Sequence, residues 1–66
     1  MARHGGDSYY VLVNNAGDVY ETEDFTGYTS VLDCDTWEEA EDCLQTLIAD
    51  EAIDEKDGWH VERHRW

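Results

Sequence analysis

A large excess of acidic residues limits how this chain can fold. Seventeen of its 66 residues are Asp or Glu and only four are Lys or Arg, which gives a formal net charge of −13. Two carboxylates about 7 Å apart repel by roughly 0.6 kcal/mol even in water, and such repulsion destabilises a compact state. We therefore expect a surface-charged fold whose acids are balanced either by a basic partner or by a salty solvent.

The acidic residues are concentrated in the middle of the chain. Fifteen of them lie within residues 18–57, where Lys56 is the single base. The other three bases, Arg3, Arg63 and Arg65, lie near the two ends. Because DNA and RNA are bound through Lys and Arg, nucleic acid is not an expected ligand. The expected partner is a protein that is itself basic, such as a DNA-binding protein.

The apolar residues predict a single folded domain in spite of this charge. They make up 41% of the chain and fall in periodic segments, whereas disordered acidic chains are poor in aromatic residues. We expect a flexible lead-in over residues 1–7 and one acidic α+β domain over residues 8–66. No apolar run approaches the roughly 20 residues of a membrane span, and the first residues lack the apolar segment of a signal peptide.

Four segments have the composition of β-strands. Residues 8–13 are dense in aromatic and β-branched side chains. Residues 19–25 should return beside them as a hairpin, across a turn rich in Asn and Gly, and residues 28–32 predict a third strand. In a last strand over residues 59–64, Trp59 and Val61 should face the core. His60 and His64 should face outward and pair with nearby carboxylates.

A capping box marks the start of the predicted helix. Thr36 and Glu39 have the spacing in which the hydroxyl accepts from the Glu amide and the Glu side chain reaches back. The pattern predicts a helix over residues 37–50, whose apolar face carries Trp37, Ala40, Leu44, Leu47 and Ile48. The order β-β-β-α-β then predicts a small antiparallel sheet of three to four strands with the helix packed on one face.

Neither catalysis nor a metal centre is expected. Carboxylate pairs serve in glycoside hydrolysis, but seventeen acids supply such pairs by chance, and a chain this small has little room for a substrate pocket. A calcium loop centred on Gly58 would place Ile53 and His64 at its first and last ligand positions, where neither fits. We expect no cofactor, and free thiols at Cys34 and Cys43 in a reducing cytosol.

The acidic surface is the remaining candidate site. Acids two residues apart on one face of a strand are about 6–7 Å apart, and acids one helical turn apart have similar separations, close to the spacing of successive phosphates. A rigid body with this spacing can occupy an Arg and Lys groove and be steered into it by charge. The residues expected to contact the partner are Glu21, Glu23, Asp24, Asp35, Glu38, Glu39, Asp42 and Asp50.

The chain has an acidic helix followed by Lys56-Asp57-Gly58 and the Trp59 strand. In this feature, and in its size, acidity and element order, it resembles the small phage-encoded DNA-mimic inhibitors, chiefly type I anti-CRISPR proteins. The resemblance implies a monomer that evades host defence in the cytoplasm of a bacterial or archaeal cell. It implies binding to the basic surface where the Cas8-like subunit of a surveillance complex recognises the protospacer-adjacent motif (PAM), so that target DNA is excluded. The alternative is a generic acidic domain of a halophilic organism with a structural or interaction role.

Overall fold

The computed structural model describes residues 8–65 and confirms a small α+β fold with the order β-β-β-α-β. The expected lead-in over residues 1–7 and the last residue, Trp66, lie outside the described residues. No helix within the described range is long and apolar enough to cross a membrane. The elements are β1 (Ser8–Val13), β2 (Glu21–Glu23), β3 (Thr29–Val31), α1 (Trp37–Ala49), a 3-10 turn (Glu55–Asp57) and β4 (His60–Arg65).

Strand β1 lies between two partners. Along one edge it pairs with β4 in antiparallel register over its whole length. Along the other edge it meets the chain at two isolated bridges, Val13 with Val19 and Tyr10 with Cys34. Between these bridges the chain leaves β1 and forms a separate antiparallel hairpin of β2 and β3. The strands are therefore arranged as two two-stranded sheets linked at the bridges.

The expectation that residues 19–25 form one strand beside β1 is wrong beyond their first residues. The Tyr20 amide donates to the Leu12 carbonyl at 2.9 Å, but the Tyr20 carbonyl accepts from the Leu32 amide at 3.2 Å. The backbone thus passes from β1 to the β3 side at this residue, and the regular strand is only Glu21–Glu23. Phe25, expected to lie in that strand, is in the turn that follows and is fully exposed.

The core lies between α1 and the β1–β4 pair. Its buried cluster is Leu12, Cys34, Ala40 and Leu44, and Leu47 and Ile48 pack against it while partly exposed. Most of the predicted apolar face of the helix is thereby confirmed. Trp37 is the exception, since 49% of it is exposed. Side chains on a helix tilt toward its N-terminus, so the side chain of the first helical residue is directed past the end of α1.

Both ends of α1 have defined caps. The Thr36 hydroxyl accepts from the Glu39 amide at 3.1 Å, as expected, but the Glu39 carboxylate accepts from the amide of Asp35 at 3.0 Å rather than from that of Thr36. At the other end, the amides of Glu51 and Ala52 donate to the carbonyls of Ile48 and Leu47 at 3.0 and 2.9 Å. This is the Schellman pattern, here with Glu51 at the left-handed position (φ 61°).

Strand β4 has the predicted orientation. Trp59, just before it, and Val61 pack against the core cluster, and the Trp59 ring meets Tyr20 edge-to-face with ring centroids 5.9 Å apart. His60 and His64 contact the Glu62 carboxylate between them, with nitrogen to oxygen distances of 3.8 and 2.8 Å. The expectation that these histidines pair with a carboxylate is confirmed.

The two cysteines are free thiols that lie side by side. Cys34 is buried and Cys43 is half-buried, and neither is in a disulfide. Burial raises the pKa of the Cys34 thiol to about 11, with further contributions from the charge and the hydrogen bond of Cys43. Cys34 therefore stays protonated near neutral pH and behaves as a small apolar core residue.

Candidate protein-binding surface

The eight predicted contact residues are all exposed, but they are distributed over several elements. Two lie on β2, one in the turn after it, and five at or on the helix. None of the acids within residues 8–65 is buried. The structure thus keeps every described carboxylate accessible, which is what repulsion among so many like charges requires.

Five of these eight carboxylates have no partner within the described residues 8–65. Among the described residues, they accept no hydrogen bond and form no ion pair. Their backbone is nevertheless fixed, because four belong to a strand or the helix and one is the C-cap of α1. They are ordered in position and available for an outside cation. These residues are Glu21, Glu23, Glu38, Asp42 and Asp50.

Asp24 has a structural task in the hairpin turn. Its Oδ1 atom accepts from the Thr26 amide at 2.8 Å, the Thr26 hydroxyl at 2.5 Å and the Tyr28 amide at 3.1 Å. The hydroxyl bond of Thr26, followed by these amides, lowers the pKa of Asp24 below its usual value. One oxygen of this predicted contact residue is consequently already engaged in holding the turn.

The acids at the start of α1 are also partly engaged. One oxygen of Glu39 accepts from the amide of Asp35, the residue before the N-cap. Acids here also interact favourably with the positive end of the helix dipole. Glu38 and Asp42, one turn apart, are the helix acids that have no partner among residues 8–65. We call this pair the helix surface.

The structure separates the helix surface from the acids of β2. A groove of about 210 Å³ between the hairpin and the helix is lined by Thr22 on one side and by Asp42 and Thr46 on the other. Successive strand residues point to opposite faces. Since Thr22 faces the helix, Glu21 and Glu23 must face away from it, beside Val31 and Thr29 of β3. We call these four residues the hairpin surface.

Sequence reasoning missed the apolar residues of the hairpin. Phe25 is 100% exposed, Tyr28 is 70% exposed and Val31 is 42% exposed. The signal that could have located Phe25 is the run from Asp24 to Gly27, because an Asp followed two residues later by Thr and then Gly is typical of a turn capped by the Asp side chain. Such a turn places the intervening Phe outside any strand.

The predicted contact residues include Asp50 but none of the acids that follow it beyond the helix end. An open depression of about 560 Å³ lies there, with Ile48 and Ile53 among its lining residues. The carboxylate-bearing lining residues are Glu51, Asp54 and Glu55. No basic residue lies in the last turn of α1, so the negative end of the helix dipole adds to the local negative potential.

The chemistry of these surfaces is that of fixed negative charge. Carboxylates accept short, charge-assisted hydrogen bonds from Arg and Lys. Within residues 8–65, no group of three or more His, Cys, Asp or Glu side chains is arranged to hold a metal ion. Comparisons with protein-family models, curated proteins and solved structures found no match to this chain.

Proposed function

We propose that this chain is a DNA mimic that inhibits a type I CRISPR surveillance complex. Its carboxylates would occupy the basic surface on which the Cas8-like subunit recognises the PAM, and target DNA would then be excluded. The observation that carries the proposal is the set of five exposed carboxylates held on ordered backbone with no partner among residues 8–65. None of the cations within residues 8–65 is paired with them.

The spacing of the unpartnered acids supports mimicry of a phosphate backbone. Glu38 and Asp42 are four residues apart, which is about 6 Å along a helix axis. Glu21 and Glu23 are two residues apart on one strand face, or about 6–7 Å. Each pair offers two acceptors at a separation close to that of neighbouring phosphates, and Arg or Lys side chains that bind phosphates would bind them in the same way.

The net charge supports fast and selective association. A charge of −13 attracts a basic groove over about a Debye length, roughly 8 Å at physiological salt. The same charge repels DNA, RNA and anionic membranes, and it repels a second copy of the chain. The protein would act as a monomer, as a phage product in the cytoplasm of its bacterial or archaeal host.

The test is competition for DNA on a purified type I surveillance complex. We expect the wild-type chain to bind the complex and to prevent binding of PAM-containing duplex, with an affinity that falls as salt is added. If the complex binds duplex normally in the presence of excess inhibitor, the proposal is wrong.

Charge-reversal variants then locate the contact. The helix variant carries Glu38→Lys and Asp42→Lys, while Glu39 is retained because its carboxylate bonds to the Asp35 amide at the start of the helix. A matched control carries Glu55→Lys and Asp57→Lys in the 3-10 turn, which changes the net charge equally. Loss of binding in the helix variant but not in the control indicates mimicry by position. An equal loss in both would show that net charge alone is responsible and would contradict the proposed mimicry.

The salt dependence of folding separates this function from that of a halophilic domain. A DNA mimic of a bacterial or archaeal host has to be folded at about 0.15 M salt, where charge attraction still acts over about 8 Å. Circular dichroism at this salt concentration and in molar KCl gives the answer. A chain that is unfolded at the lower concentration and folds only in molar KCl would be an acidic halophile domain.

A further inference from the structure

The hairpin tip, residues 24–28, and the strand after it expose much apolar surface for a chain whose buried core is small. Phe25 at the tip is completely exposed, and Tyr28 and Val31 of the same hairpin are 70% and 42% exposed. Burying one Phe side chain contributes roughly 1.5–3 kcal/mol, yet the fold uses none of this at Phe25. Single exposed apolar residues are common on proteins, but here three come from one short hairpin.

The tip is held in one conformation by hydrogen bonds. Asp24 Oδ1 accepts from Thr26 and Tyr28, the Asp24 amide donates to the Tyr28 carbonyl at 3.0 Å, and the Gly27 amide donates to the Asp24 carbonyl at 3.0 Å. Gly27 has φ +90°, a conformation that favours glycine. Phe25 is therefore presented on a closed turn. Such ordering before binding reduces the entropy that is lost on binding.

The negative charge around the tip determines which kind of partner can bind there. Glu21 and Glu23 lie on the strand that leads to it, and residues 18–55 contain no base. A second copy of the chain would bring like charges together, and nucleic acids or anionic lipids would do the same. The complementary occupant is a protein surface that has an apolar pocket bordered by Arg and Lys.

We infer that the hairpin tip is the apolar anchor of the complex, with Phe25 inserted into an apolar pocket on the basic partner and Glu21 and Glu23 paired with the cations at its rim. The inference rests on the proposed function and adds to it a contact that DNA does not make. Buried aromatic residues account for much of the binding energy in protein interfaces. Charge sets the rate of association, and Phe25 sets the rate of dissociation.

The test is the binding kinetics of variants on the purified type I surveillance complex. Phe25→Ser should raise the dissociation rate about 10- to 30-fold and leave the association rate nearly unchanged. Because Phe25 makes no contribution to the core, this variant should retain the circular dichroism spectrum and thermal midpoint of the wild type. The matched control is Trp37→Ser, which removes a half-exposed aromatic residue outside the hairpin and should leave the dissociation rate unchanged.

The possible results distinguish the anchor from the function on which it rests. If the wild type binds and Phe25→Ser dissociates at the same rate, the anchor is wrong and the proposed function stands. If Trp37→Ser accelerates dissociation as much as Phe25→Ser, the anchor is not specific to the tip and the inference is wrong. If the wild type does not bind, both are wrong. Sedimentation of the wild type as a dimer that Phe25→Ser dissolves would assign the tip to a second copy, which also overturns the inference.

Discussion

Replacing Glu51 with Gly should stabilise the isolated fold. Glu51 follows the last residues of α1 and adopts φ 61°, the left-handed conformation that glycine commonly supplies in this motif. Its amide and that of Ala52 close the helix end, so the conformation is fixed by two hydrogen bonds. The carboxylate also lies at the negative end of the helix dipole.

The expected gain is the balance of three effects. A side chain in the left-handed region costs roughly 1–2 kcal/mol, and glycine removes this cost. Glycine loses about 0.4–1 kcal/mol more backbone entropy on folding, and removal of a charge that opposes the dipole returns about 0.3 kcal/mol. The net stabilisation is about 1 kcal/mol, which corresponds to a thermal midpoint higher by about 4–8 °C in a domain of this size.

Thermal and urea unfolding followed by circular dichroism measure this gain. Glu51→Gln is the matched control, since it removes the charge but keeps a side chain in the left-handed conformation, and it should recover only about 0.3 kcal/mol. If Glu51→Gly were no more stable than Glu51→Gln, backbone strain at this residue would not be a significant cost and the reasoning would be refuted.

Four further predictions concern stability. Leu44→Ala, at a buried core position, should cost about 2–5 kcal/mol of the roughly 3–10 kcal/mol available to such a chain, so urea unfolding should show a large unfolded fraction in water. Thr36→Ala should cost about 1 kcal/mol by urea unfolding, whereas Thr36→Ser, which keeps the hydroxyl acceptor, should preserve the stability. The pKa of Cys34 is raised from 9.0 to about 11, so the protonated thiol contributes its full stability below pH 9 and loses it as the pH rises through about 11. The urea midpoint of the wild type should therefore fall over this pH range, and that of Cys34→Ala should lack this fall. Asp24→Asn should preserve the thermal midpoint better than Asp24→Ala, because the amide oxygen replaces the acceptor of the turn, and the wild-type turn should weaken as pH falls through the lowered pKa of Asp24.

Local signals predicted the elements better than their pairing. The helix start follows from Thr36 and Glu39, which bond within four residues of one another, and such patterns are readable from the sequence. The pairing of β1 with β4 joins residues from the two ends of the described chain. It could not be inferred from composition, because the nearer segment at residues 19–25 had an equally suitable strand pattern. Only the backbone of Tyr20, bonded to both Leu12 and Leu32, shows where that segment leaves the sheet.

The candidate site was predictable in composition but not in arrangement. The sequence identifies the acids, and all those within the described chain are accessible. The sequence does not reveal that Asp24 and Glu39 each accept a hydrogen bond from a backbone amide, or that Glu21 and Asp42 lie on opposite sides of the hairpin. Exposure of Phe25 and Trp37 was also missed, because a core of this size has few interior positions and periodicity assigns aromatic residues to it by default.

Salt should affect the acids that bond to backbone amides less than the acids that have no partner among residues 8–65, and this difference bears on function. Asp24 and Glu39 bond to amides in direct contact, which salt screens weakly. The unpartnered carboxylates, such as Glu38 and Asp42, contribute mainly repulsion to the isolated fold, and salt screens that repulsion between exposed groups. Added salt should therefore stabilise the fold while it weakens any complex with a basic partner. A halophile domain would show the first effect alone, whereas a DNA mimic must show both, so the two salt slopes measured on the same protein decide between them.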